Sequence, residues 1–307
     1  MLRRVTTAVL AFTLVVPAVA GAADEEQPFE TLIDDIGRTM LARFPEAATD
    51  LGLSHQLGLD DRTLDDLSYE YRSQTAALAE DALARLSQVG PATLTADERV
   101  TLAVTEWYLR DIVTMHEHAD HEYALNFITG AHANLPEFMA DVHPLEDLED
   151  AEAFVARLEA SGEQLRQVAR NLQRSEAAGN LPTERGLGIA AWQLGSQTFS
   201  AANHPIRADL AERLEATDLG QDQIDRILAQ AEVALEQELV PGYEALQTAA
   251  GHAASRSDSE PGVLHHADGE AYYAAVLAHH LSLPLTPTEV HEIGLAEVGR
   301  LRAELSE

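Results

Sequence analysis

The chain has 307 residues, with 52 acidic against 20 basic side chains, a formal net charge of −32 and no cysteine. A surface this negative repels nucleic acid and anionic lipid, and the lack of thiols excludes disulfides, a cysteine nucleophile and a lipid-anchoring cysteine. The acids are spread along the whole chain, which reads first as a hydrated surface suited to a salty medium and second as a preference for cationic partners.

The first residues, MLRR, are basic, and the next sixteen are apolar and end in small residues. This pattern predicts a secretory signal peptide over 1–22, an exported protein (periplasmic or extracellular), and one helical domain over 23–307. No later stretch is long and apolar enough to cross a membrane, so neither a membrane nor nucleic acid is expected as a partner. Ala, Leu, Glu, Gln and Arg dominate the rest of the chain, without alternating Val/Ile runs, and predict helix almost throughout. Helices are expected over 28–44, 69–88 and 96–118, the last opened by a Thr95–Glu98 capping box. Residues 126–147 contain Gly130, Pro136 and Pro144 and read as irregular. A long amphipathic helix is predicted over 147–177, with Phe154, Leu158, Leu165, Val168 and Leu172 on one stripe and Gly179 closing it. Helices over 183–200 and 206–216 come next. A further helix over 221–250 should be kinked or split at Pro241. The last two are expected over 269–282 and 287–305. The sum is an all-α, multi-helix domain of long antiparallel helices joined by irregular loops.

Three histidine-bearing stretches carry candidate chemistry. In HEHADHE, 116–122, the pairs Glu117/His121 and His118/Glu122 are four apart and share a helix face, which suits a divalent metal. His118 and His121 are therefore weak metal candidates. A solvated helix end with i,i+4 His–acid pairs accounts for them more simply. In PGVLHH, 261–266, two histidines follow a turn, and His279 and His280 suit the negative end of a helix dipole. The pair His291–Glu292 has the form that opens a zincin helix. That motif needs a second imidazole four residues on, and Leu295 stands there. Thr286, Pro287 and Glu289 instead describe an ordinary capped helix start, with Val290, Val298, Leu301 and Leu305 as its apolar stripe. No phosphate loop and no nucleophile elbow occur, so the residues alone contain no complete catalytic set.

The segment DGEAYYAAVLAHHLSLPLTPTEVHEIGLAEVGRLRAEL resembles the bacterial family known as domain of unknown function 885. The likeness rests on Gly269 with Tyr272 and Tyr273, on Thr286, Pro287, Glu289 and His291, and on Gly294, Leu295, Glu297 and Arg300. FPEAATDLGL, HEYALNFITGAHANLPEFM and AEAFVARL resemble earlier segments of the family in the expected order. The resemblance implies a zinc-metallopeptidase-like protein about twice this length, with a His-Glu-Gly…Pro-Gly-His-His type motif in its second half. This chain matches the N-terminal half only and is expected to be a truncated part forming one wall of a helical cleft. The zinc, its activated water and the general base would come from the missing C-terminal half. No metal site and no catalytic residue is expected in this chain. Tyr272, Tyr273 and His291 are expected to contact a peptide or small-molecule substrate. The alternative is an exported helical binding or scaffold protein without catalysis.

Overall fold

A computed structural model describes residues 28–306 apart from Pro261. The predicted signal peptide lies outside the described residues. The described residues form helices and loops, in agreement with the all-α expectation, and none of their helices is long and apolar enough to cross a membrane.

The N-terminal part packs α1 (Phe29–Leu41), α4 (Tyr69–Leu86) and α5 (Ala96–Glu117) around a small core. Leu32, Ile33, Ile36 and Met40 of α1 meet Ala79, Ala82 and Leu86 of α4 and Leu109 of α5. The start of α5 is fixed as its sequence predicts. Glu98 N–H donates to Thr95 Oγ1 and Thr95 N–H donates back to the Glu98 carboxylate. Two short helices, α2 (Pro45–Asp50) and α3 (Ser54–Leu57), lie in the connection between α1 and α4.

The larger core surrounds α7 (Leu148–Ala178), which is capped by Asp147 and ended by Gly179 at φ 81°. All five residues of its predicted stripe are buried, each worth about 1.5–3 kcal/mol of transfer free energy. Packed on this core are α6 (Ala131–Glu137), α8 (Glu184–Gly195), α9 (Pro205–Glu215), α10 (Gln221–Ala234) and α11 (Val240–Ala254). Outside both cores, α12 (Gly269–Leu281) rests on α5, where His279 Nδ1 hydrogen-bonds Asp111 Oδ2 at 2.8 Å. The last helix, α13 (Pro287–Glu304), buries none of its residues.

Two prolines behave differently from their sequence expectation. Pro136 sits inside α6, and a π turn over Phe138–Val142 continues the helix. Proline has no N–H to give the carbonyl four residues earlier, that of His132. The buried Tyr243 hydroxyl supplies that bond from α11, at 3.0 Å. Tyr243→Phe is therefore expected to leave a buried carbonyl unpaired and to lower stability by about 1–3 kcal/mol in chemical denaturation. Pro241 does not split its helix, and helical residues run without interruption from Gln221 to Ala254. The turn before it widens to a π turn over Leu235–Leu239, with Val240 N–H reaching Leu235 O, and α11 runs on.

Candidate functional site

The two cores meet at a polar seam built by α7. Its buried face carries Arg157, Gln164 and Gln167 among the leucines, with Asn171 further along, and these four hold the extended chain that precedes α4. Gln164 Nε2 donates to Asp65 O at 3.1 Å, Leu67 N–H donates to Gln167 Oε1 at 2.7 Å, and Asn171 Nδ2 donates to Leu67 O at 2.7 Å. Helical amides thus take the place of a neighbouring β-strand for a segment with no strand partner. Asp65 N–H is met by Glu46 Oε1 at 3.0 Å, and Glu46 N–H donates to Asp65 Oδ1 at 3.0 Å, so α2 is tied to the same segment.

Two turns toward the start of α7 from Gln164, Arg157 is fully buried. Its guanidinium donates to Thr63 O at 3.0 Å, Thr49 Oγ1 at 2.6 Å and His143 Nδ1 at 2.6 Å, and it lies 3.4 Å from Asp61 Oδ1. Because Arg only donates, His143 accepts at Nδ1 and carries its proton on Nε2, which donates to Asp150 O at 3.0 Å. Burial first, with Arg157 adding repulsion, brings the His143 pKa down to about 4 and keeps the ring neutral.

Beside this seam opens a cavity of about 450 Å³. Its lining comes from both cores: Glu46 and Asp65, Tyr71 and Arg72 of α4, His116 of α5, the loop after α5, and Gln164 and Asn171 of α7. Arg43 lies over the Tyr71 ring, 3.2 Å from its centroid, and donates to Thr75 Oγ1 and Tyr71 O. Arg72 pairs with Glu122. The carboxyl groups of Glu46 and Asp65 are both raised above the ordinary carboxylate range. For each, burial is the main cause; for Asp65 the neighbouring Glu46 adds repulsion and the pKa reaches about 7.

This placement has a pH signature. A carboxyl raised in the folded state contributes stability that is complete below its unfolded pKa, near 4, and is lost as pH rises through about 7. His143 works in the opposite sense, its contribution being present above about 6.5 and lost as pH falls toward 4. Above pH 6.5 the acid pair acts without that opposition. Asp65→Asn keeps the acceptor for Glu46 N–H and removes one charge. It is expected to melt higher than the parent at pH 8, with the difference closing by pH 5 in thermal scans.

Three of the sequence candidates, His118, His121 and Tyr272, come together just past Glu117, the last residue of α5. Tyr272 of α12 stacks on His121, ring centroids 5.3 Å apart, and sits 5.9 Å from His118. The two histidine rings are 5.8 Å apart, and His121 Nε2 bonds Ala267 O at 2.5 Å. Burial, then Glu122 and Tyr123, push the Tyr272 hydroxyl up to about 12. His266 of the PGVLHH loop meets the Tyr123 hydroxyl at 3.3 Å. Tyr273 points outward and His291 is exposed in the first turn of α13. Among the described residues no three His, Asp or Glu side chains converge as metal ligands. Sequence reading missed Glu46, Asp65, Gln164 and Asn171. The one available signal was the amides recurring on the stripe-bearing side of α7.

Two helical cores with a polar cavity between them define the class: an all-α domain. The chain belongs to the bacterial protein family of unknown function DUF885, whose model matches residues 45–307. A solved structure described as a "putative lipoprotein" from Colwellia psychrerythraea has the same fold, with a TM-score of 0.74 and 20% identity. The match covers 89% of this chain and 49% of that one, so the chain spans about half the length of the solved relative. No curated protein matches.

Proposed function

We propose that this chain is the N-terminal helical part of an exported, zinc-peptidase-like protein of its family, forming one wall of a substrate cleft. The observation that carries the reading is α13. Ile293, Leu295, Val298 and Leu301 are exposed on it, and Leu305 at its end is 88% exposed. A soluble helix hides such residues against a partner. The extra length of the Colwellia protein supplies room for such a partner within one fold, and its description as a lipoprotein is compatible with export. From this wall Tyr272, His118 and His121 would face a peptide or small-molecule substrate, with Tyr273 and His291 as further contacts. A Tyr hydroxyl raised to about 12 stays protonated at neutral pH and donates to a substrate carbonyl or a developing oxyanion. The second half would hold the zinc, which activates water.

A second reading, an exported binding or scaffold protein without catalysis, is favoured by the cavity, which is lined from both cores of this chain. The two separate on zinc content and hydrolysis of a peptide panel, measured for this chain alone and for it joined to a second half from the family. The first reading expects neither property alone and both when joined. Tight stoichiometric zinc on this chain alone, or a joined protein that neither binds zinc nor cleaves peptide, would overturn it, the latter outcome favouring the binding protein.

A further inference from the structure

The cavity between the cores is an acceptor-rich chamber. Four amide side chains line it: Asn126 is bonded within its own loop to Ile128 and Thr129, and the other three are Asn134, Gln164 and Asn171. Each of these three uses its N–H2 on a backbone carbonyl: Asn134 on Thr129 O, Gln164 on Asp65 O, and Asn171 on Leu67 O. Those carbonyls fix which end of each amide is nitrogen, so what each offers the cavity is its oxygen. Gln164 is 4% exposed, and its Oε1 has no hydrogen-bond partner among the described residues. Beside it stand the Glu46 and Asp65 carboxyl groups.

The cations nearby are otherwise engaged. Arg43 is turned to Thr75, Tyr71 O and Gln74, Arg72 is held by Glu122, and Arg157 is fixed to Thr49, Thr63 and His143 behind the wall. Asp66 adds a further carboxylate to the lining, and burial first, then Arg72 and Arg174, lower the His116 pKa below the ordinary imidazole value. Carbonyl and carboxylate oxygens facing a chamber of this size, with Arg72 paired to Glu122 and Arg43 turned to neutral acceptors, match a ligand that is positively charged and donates several hydrogen bonds. The net charge of −32 draws such ligands toward the surface.

We propose that this cavity binds an organic ammonium group, R–NH3+, held by the Glu46–Asp65 carboxyl pair and the side-chain oxygens of Gln164, Asn171 and Asn134. The group can come from a small free amine or from the N-terminus of a peptide. The inference concerns this chain alone and stands whether or not a metal-bearing second half joins it.

The test is titration calorimetry of the 307-residue protein with putrescine, with the dipeptide Ala-Ala-amide and with its N-acetylated form. Saturable 1:1 binding is expected from putrescine, the free dipeptide or both, and the acetylated dipeptide should bind at least tenfold more weakly. Binding at pH 6 should release a proton, seen as a heat that changes with the buffer's ionisation enthalpy. Putrescine binding alone assigns a free amine, and binding of the free dipeptide assigns a peptide terminus. Glu46→Gln with Asp65→Asn should weaken binding at least tenfold. Asn134→Leu, which leaves the α7 seam untouched, should weaken it severalfold in a protein of unchanged circular dichroism. Absence of binding by both cations, equal binding of the acetylated dipeptide, or unchanged affinity in the folded variants overturns the proposal. The titration reads neither zinc content nor hydrolysis, so its outcome is separable from the peptidase reading.

Discussion

Arg157→Ala is expected to lower the unfolding free energy by about 3–5 kcal/mol, read as a shift of the urea midpoint at constant slope. Arg157 is 0% exposed, and its guanidinium serves the Thr63 carbonyl, the Thr49 hydroxyl, the His143 imidazole and the Asp61 carboxylate together. The Thr49 hydroxyl in turn donates to Asp61 Oδ1 at 2.7 Å. Truncation leaves the imidazole nitrogen and the Thr63 carbonyl without their donor, and the carboxylate without its cation, in a space also emptied of a large side chain. The same residue packs its guanidinium 4.9 Å above the Phe138 ring, so apolar contact is lost as well. Arg157→Lys should recover only part of the loss, because one ammonium cannot reach acceptors arranged around a planar fork. A loss below about 1 kcal/mol for the Ala variant, the size of an ordinary surface change, would show that the seam is solvated rather than dry.

Gly162→Ala and Gly242→Ala are each expected to lower stability by about 1–3 kcal/mol. Helix propensity alone predicts the opposite, since Ala in a helix interior is favoured over Gly by about 1 kcal/mol. Tertiary contact reverses the sign. A Cβ on Gly242 would stand 2.8 Å from the Gly162 Cα, and one on Gly162 would run into the Glu238 carbonyl of the π turn. The two helices therefore touch backbone to backbone where α7 crosses the π turn and α11. Gly188, in α8, has open space around its would-be Cβ and serves as a control. Gly188→Ala should raise stability by about 0.5–1 kcal/mol while the other two lower it, all read by thermal melting. A raised melting temperature for Gly242→Ala would mean that the crossing yields.

The glycine pair also marks how far sequence reading reaches. Gly162 and Gly242 look like mild helix weakeners in their own segments, and nothing within a few residues of either says that they meet. The same holds for Pro136. Read locally it breaks a helix, yet α6 continues through it because a tyrosine 107 positions later carries a hydroxyl to the orphaned carbonyl. For the candidate site, His118, His121 and Tyr272 were picked out as residue types at telling spacings, and the fold sets them against one another. Glu46, Asp65, Gln164 and Asn171 were passed over because single polar residues on a helix or loop read as solvent-facing.

By itself the sequence determined the helical class, most helix starts and stops, the family kinship and the absence of a zincin pair at His291. Those signals act within three or four residues: a Thr–Glu capping box, a Gly in left-handed geometry, a repeat of leucines every turn. Only the tertiary structure decided which polar side chains are buried, where the cavity lies and which bonds close it. The long-range hydrogen bonds of the seam and the one that repairs the Pro136 break join residues 94 to 118 positions apart, such as Thr63 with Arg157 and Glu46 with Gln164. Their free energy exists only once both cores have formed and excluded water, so no local pattern can encode it.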